Sequence, residues 1–225
     1  MYTDMKARYF TPQSLHQQAH DLYQHVSAIT PIKSLPFQPS RSALLVLDMQ
    51  AYFLDPASHA YVPSSEAILP GMLGLIQAYS SYSLPIFFTQ HLNQPDDAGM
   101  MAVWWRDMIS LQHPYHAIIP QIDVSLGTLI PKTQYDAFYH TPLAELLLAR
   151  SVTQVVTCGL MTHLCCETTA RSAFMHGFEV FFPVDGTATY NVEHHRASLV
   201  NLAHGFASLT FVDDILQAVG GGREG

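Results

Sequence analysis

The sequence predicts an α/β domain: a three-layer, doubly wound sheet of six mainly parallel strands with helices on both faces. Three observations carry this. From Ser42 onward, short apolar runs alternate with amphipathic stretches. The runs are continuously apolar, as strands covered on both faces require. Helical stretches end in glycine at Gly177 and Gly205, the residue type that best closes a helix in a left-handed turn.

The elements follow in order. Pro12 to Val26 reads as a helix, and Thr30 to Ser40, with Pro31, Pro36 and Pro39, reads as an extended connector. Ala43–Leu47 is the first strand. Ala67–Ser81 has helical spacing, with Ile68, Met72, Leu75, Ile76 and Tyr79 on one side. Pro85–Gln90 and Gly127–Pro131 are the next strands. Pro142–Arg150 is a helix striped by Leu143, Leu146 and Leu147. Val152–Thr157 is a β-branched strand, and Thr162–His176 a helix. Phe178–Val184, the helix Val192–His204 and the strand Ser208–Val212 complete the sheet. The segment Asn93–Ser125 is irregular and is expected to cover the sheet's active edge. Residues 1–41 form an expected helical arm and connector, 42–213 the domain proper, and 214–225, ending in GGGREG, a flexible tail.

Composition excludes several classes of function. The chain has 225 residues, 48% hydrophobic and only 12% charged, with a net charge of −8. That acidic balance, without any Lys/Arg run, argues against nucleic acid as a partner. No window approaches the roughly 18 unbroken apolar residues of a membrane span. The opening MYTDMKARYF lacks the apolar stretch of a signal peptide, so a cytoplasmic location is expected. The sparse surface charge suggests a homo-oligomer, a dimer or tetramer. Three cysteines, Cys158, Cys165 and Cys166, are an odd number, and two are chain neighbours, which does not support a disulfide framework.

In open α/β sheets, ligands bind beyond the carboxyl ends of the strands. Asp48 ends the first strand, His91 the second and Lys132 the third, and Cys165 opens the helix after the fourth. An acid, a base and a thiol thus converge on one edge. A helix N-terminus and a lysine both favour a thiolate, so Cys165 is expected to titrate low. An aspartate within reach can accept the thiol proton and return it to a leaving amine. The set suits attack on an amide-like carbon through a covalent thioester.

Here the motifs carry a resemblance. SALLVLDMQAYFLD, with Asp48-x-Gln50, resembles the opening strand of the isochorismatase-like hydrolases. LIPKTQYDAFYHTPL is similar to that family's strand and lysine, and VVTCGLMTHLCCETTARSAFMHGF to its nucleophile helix, placing Gly159, Thr162 and Cys165 on motif positions. PVDGTATYNVEHH resembles its downstream strand and helix start. The similarity runs from about residue 42 to 213. It implies a Rossmann-like fold and a triad of Asp48, Lys132 and Cys165. It also implies a cis peptide between Leu160 and Met161 that aims the N–H groups of Met161 and Cys165 at an oxyanion. The metal-binding branch of the family carries Asp-x-His after the second strand. This chain reads Thr89, Gln90, His91, Leu92, Asn93, so no metal and no cofactor are expected.

Around the triad, Gln50, Phe53, His91, Trp104, Trp105, Tyr135, Phe138 and His163 are candidate contacts for a small-molecule substrate. Each has a plainer reading as a core or loop residue. Cys158 and Cys166 read as packing residues, and Arg171 as structural. Cys165 favours an amide or ureido substrate. Alternatives are a vinyl ether hydrolase that uses Asp48 without the thiol, a non-catalytic binding protein on the same fold, and a redox role for Cys165–Cys166.

Overall fold

The computed structural model describes residues 6–221. The elements are α1 (Leu15–Ile29), β1 (Ser42–Leu47), α2 (Ala51–Leu54), α3 (Ser65–Ser81), β2 (Ile86–His91), α4 (Met101–Trp104), β3 (Thr128–Lys132) and α5 (Leu143–Leu148), followed by β4 (Gln154–Leu160), a π-turn (Thr162–Cys166), α6 (Glu167–Met175), β5 (Glu179–Pro183), β6 (Thr187–Ala188), α7 (Val192–Gly205), β7 (Ala207–Thr210) and α8 (Val212–Gly221). The sheet is parallel throughout, ordered β3-β2-β1-β4-β5-β7, with β6 against the end of β4.

Strand order explains where ligands must go. From β1 the chain winds outward through β2 and β3, then returns to β4 on the other side of β1 and winds outward again. The crevice between the ends of β1 and β4 is therefore the topological switch point, where neither crossover covers the strand ends. β1 and β4 are buried at every position because both faces are covered. α3 packs with α8 in one layer, and α7 packs with α6 and α1 in another. Burial of the α3 stripe Ile68, Met72, Leu75, Ile76 and Tyr79 matches its spacing, each large apolar side chain contributing roughly 1.5–3 kcal/mol.

The fold departs from the sequence reading in three places. Among the described residues the six expected strands are joined by a seventh, β6, which has two residues and no periodicity to read. The stretch assigned to a flexible tail from residue 214 is mostly α8, with Val212, Ile215 and Val219 buried. Asp214 starts it by accepting hydrogen bonds from Phe211 N–H and the Thr210 hydroxyl, both at 3.1 Å. Its spacing of three and four residues was masked by the glycines behind it; residues 222–225 lie outside the described residues. Finally, β4 runs on through Cys158 and Gly159 to Leu160, past its expected end at Thr157.

Gly159 makes that extension possible. It pairs with Leu47 in the β1 register, and its φ is +123°. A Cβ there would lie 2.2 Å from the Leu47 carbonyl oxygen. Gly159→Ala is therefore expected to lower stability by about 3–5 kcal/mol by combining backbone strain with overpacking. A urea midpoint equal to that of the unaltered protein would contradict this account of the β1–β4 contact.

Candidate active site

Asp48 is the first residue beyond β1 and adopts a left-handed backbone with φ 50°. That turn stands its side chain in the crevice. Thr89 on β2 fixes it twice: the Asp48 N–H donates to Thr89 Oγ1 at 3.1 Å, and the Thr89 hydroxyl donates to Asp48 Oδ1 at 2.6 Å. Lys132 is the last residue of β3, two strand spacings away, about 10 Å. Its long stem crosses β2, and Nζ reaches Asp48 Oδ2 at 2.8 Å. Nζ also donates to Gln134 O at 2.9 Å and to Cys165 Sγ at 3.3 Å. An ammonium has three hydrogens, and all three have partners here. Asp48, Lys132 and Cys165 are 0%, 2% and 5% exposed, so the charges interact with little solvent screening.

Cys165 is carried by the π-turn Thr162–Cys166, and the α-helix begins only at Glu167. The Leu160–Met161 peptide is cis. Met161 O gathers the turn by accepting from Leu164 N–H at 3.1 Å and Cys166 N–H at 3.2 Å. Thus the thiol is brought to the crevice by the opening turn of the helical segment after β4, as expected, but that turn is wound as a π-helix that passes directly into α6.

The electrostatics correct one expectation. Burial pushes the Cys165 thiol up, and the Asp48 carboxylate adds to this more than Lys132 offsets it. The thiol is protonated at rest, not a pre-formed thiolate. The negative charge sits on Asp48, which burial would raise but which Lys132 and His91 hold below the usual carboxylate range. Against the cost of burial, Asp48 and Cys165 raise Lys132 to about 12. The resting state is a buried Asp48⁻–Lys132⁺ pair beside a neutral thiol.

A cavity opens from Cys165 to solvent. Of the eight expected contacts, Phe53, His91, Trp105 and Tyr135 line it, as does Met161 of the expected oxyanion turn. Trp105 donates from Nε1 to the Tyr135 hydroxyl at 2.6 Å, joining the irregular segment to the turn after β3. Burial, followed by Lys132, pushes His91 down to about 4, so it is neutral. Its Nε2 is 2.8 Å from Asn93 Oδ1.

Four candidates do not line the cavity. Trp104 is 74% exposed on α4. Phe138 is core, stacked on His176 and Phe178. Gln50 is fully buried and acts as a brace. It accepts from His91 N–H at 2.7 Å and donates to His91 O at 3.0 Å and His116 O at 2.7 Å. His163 turns to Thr189 Oγ1 at 2.6 Å and stacks on His194. In their place the cavity gains Tyr52, His59, Asn93, Asp107, Leu164 and Tyr190. Cys158 and Cys166 are buried core residues.

Asp48, His91 and Cys165 offer donor atoms within 4.8 Å of one another, the one such group of three among the described residues. The set does not suit a metal ion. Lys132 already occupies Asp48 and Cys165, and a divalent cation among those atoms would sit against a buried ammonium. Among the described residues, no helix is long and apolar enough to cross a membrane.

Comparison with known proteins shows what the chain is similar to. Residues 42–214 match the family model for the isochorismatase domain. Nicotinamidase 3 of Arabidopsis thaliana is 40% identical over 183 residues, covering 79% of this chain and 88% of that protein. Enterobactin synthase component B of Escherichia coli (strain K12) is 26% identical over 185 residues, 81% of this chain and 65% of that protein. The crystal structure of a cysteine hydrolase from Pseudomonas syringae pv. phaseolicola 1448A superposes with a TM-score of 0.80 at 25% identity, covering 85% of this chain and 98% of that one.

Proposed function

The chain belongs to the isochorismatase family of hydrolases, and from that premise we propose that it hydrolyses a small carboxamide through a Cys165 thioester. The observation that carries this is the Lys132 ammonium, which holds the Asp48 carboxylate at 2.8 Å and the Cys165 sulfur at 3.3 Å in one buried cluster. The likeness to a protein named nicotinamidase supports an amide over an ether.

The mechanism follows from the charges. The neutral thiol must lose its proton as it attacks, and Asp48 is the anion beside it. As the sulfur bonds to the amide carbon, Asp48 takes the thiol proton. The carbonyl oxygen gains the negative charge, and the N–H groups of Met161 and Cys165 are the proposed donors to it. Asp48 then returns the proton to the leaving nitrogen, the C–N bond breaks, and the amine departs. Water attacks the thioester, with Asp48 again taking a proton, and releases the carboxylic acid and the restored thiol. Lys132 stays charged throughout and limits the cost of moving negative charge from Asp48 to sulfur to oxygen.

The test is ammonia release from a panel of aryl carboxamides, including nicotinamide and benzamide, with Cys165→Ala in parallel. Cys165→Ala is expected to lose at least roughly 10³-fold in turnover. The unaltered enzyme, quenched during turnover, is expected to show the acyl mass on the Cys165 peptide. If Cys165→Ala keeps most of its ammonia release, the thioester route is wrong; if the unaltered enzyme releases no ammonia from any amide, the amide reading falls and an ether hydrolysis that uses Asp48 without the thiol takes its place.

A further inference from the structure

The polar groups around the cavity are mostly spent on one another. His91 is bonded to Asn93, and Trp105 to Tyr135. Tyr52 donates its hydroxyl to Asp107 Oδ1, and His59 Nε2 is 2.8 Å from the same oxygen. The other oxygen, Asp107 Oδ2, differs. His113 Nε2 lies 3.7 Å from it, within ion-pair distance but beyond hydrogen-bond range, and no hydrogen bond reaches it among the described residues. Asp107 is also the one Asp, Glu, Lys or Arg among the lining side chains, and the rings of Tyr52, Phe53, Trp105, Tyr135 and Tyr190 share that lining with aliphatic side chains such as Ile109 and Leu164.

We infer that Asp107 is a specificity-determining residue, and that its Oδ2 accepts a hydrogen bond from an N–H or ammonium group carried on a flat ring, remote from the carboxamide presented to Cys165. This rests on the amide-hydrolase reading and narrows it to ring carboxamides bearing a donor. The aromatic wall suits a planar group, and a buried ring gains by stacking and edge contacts. Tyr52 and His59 hold Oδ1 and so fix the carboxylate's orientation, leaving Oδ2 to the ligand. Burial would raise the Asp107 carboxyl, but the hydrogen bonds from Tyr52 and His59 keep it below its ordinary value, so it is an anion at neutral pH. A neutral pyridine nitrogen brings a lone pair instead of a proton and gains nothing at such an acceptor.

The test is ligand binding by calorimetry on the Cys165→Ala protein, which separates recognition from turnover. The probes are benzamide and its 3- and 4-aminomethyl derivatives. At least one aminomethyl compound is expected to bind roughly tenfold more tightly than benzamide, the scale of one charge-assisted hydrogen bond at a partly exposed site. Adding Asp107→Asn is expected to erase that preference, read as the ratio of aminomethyl to benzamide affinity within the same variant; Asp107→Ser provides the same readout with a smaller side chain. Equal binding of all three probes, no binding by any, or a preference that survives both substitutions would overturn the inference. If the preference appears and vanishes as expected while the unaltered enzyme hydrolyses none of the probes, Asp107 stands and the amide-hydrolase reading falls.

Discussion

Lys132→Met is expected to lower stability by about 3–5 kcal/mol and turnover by roughly 10³-fold, the larger stability effect coming from what it leaves behind. Lys132 and Asp48 are fully enclosed, and the lysine's three hydrogens are all used. Removing the ammonium strands a carboxylate that burial disfavours, and Asp48 must then take up a proton or admit water. Either outcome also removes the proton acceptor for the thiol. The neutral double variant Asp48→Asn/Lys132→Met strands no charge. It is expected to be more stable than Lys132→Met alone although it is further from the native sequence. Urea midpoints for the two singles and the double close the cycle. Purely additive losses would mean that the pair is not coupled as its 2.8 Å separation implies. The pH range is fixed by the shifts. Asp48 titrates below its ordinary 3.8, so its contribution is complete above that value and is lost as pH falls through the lower, folded value. Lys132 titrates at about 12 rather than 10.5, so its contribution is complete below 10.5 and is lost as pH rises through about 12. Between these limits the pair's stabilisation is flat with pH.

Asp48, Lys132 and Cys165 could be picked out in the sequence because each lies at or just past a strand end, and strand ends are local signals. The family resemblance pointed to the same three residues and to the cis peptide. What surrounds them was harder to read. Tyr52, His59 and Asp107 meet across 55 residues of chain, through a segment with no periodicity, so no pattern joins them. Trp104 and Trp105 are neighbours of the same type, yet the short helix α4 sends one to solvent and the other to the Tyr135 hydroxyl. Gln50 was legible as important but not as a brace, since its partners are the backbone of His91 and His116. The sign of the Cys165 shift was beyond the sequence altogether. It is a balance of burial, an anion and a cation at short range, and none of the three magnitudes can be read from the chain.

That balance leads to an outcome opposite to simple intuition about a catalytic base. Asp48→Asn is expected to abolish amide turnover, by roughly 10³-fold or more, and yet to raise the rate at which iodoacetamide alkylates Cys165 at neutral pH, by at least about tenfold. Turnover fails because no group then carries the proton from sulfur to the leaving nitrogen. Alkylation needs no such carrier; it needs only thiolate. Asp48 disfavours thiolate by its charge, and Lys132 favours it. With the carboxylate gone, the ammonium is left facing the sulfur 3.3 Å away, and a thiolate–ammonium pair replaces the carboxylate–ammonium pair. The sulfur lines the open cavity, so the reagent reaches it in both proteins, whereas Cys158 and Cys166 are enclosed and serve as internal controls. Lys132→Met should do the reverse and slow alkylation below that of the unaltered enzyme. Tandem mass spectrometry of the Cys165 peptide across pH reads both effects. If Asp48→Asn slows alkylation, the resting thiol is being ionised by Asp48 rather than held neutral by it, and the charge in the unperturbed site rests on sulfur.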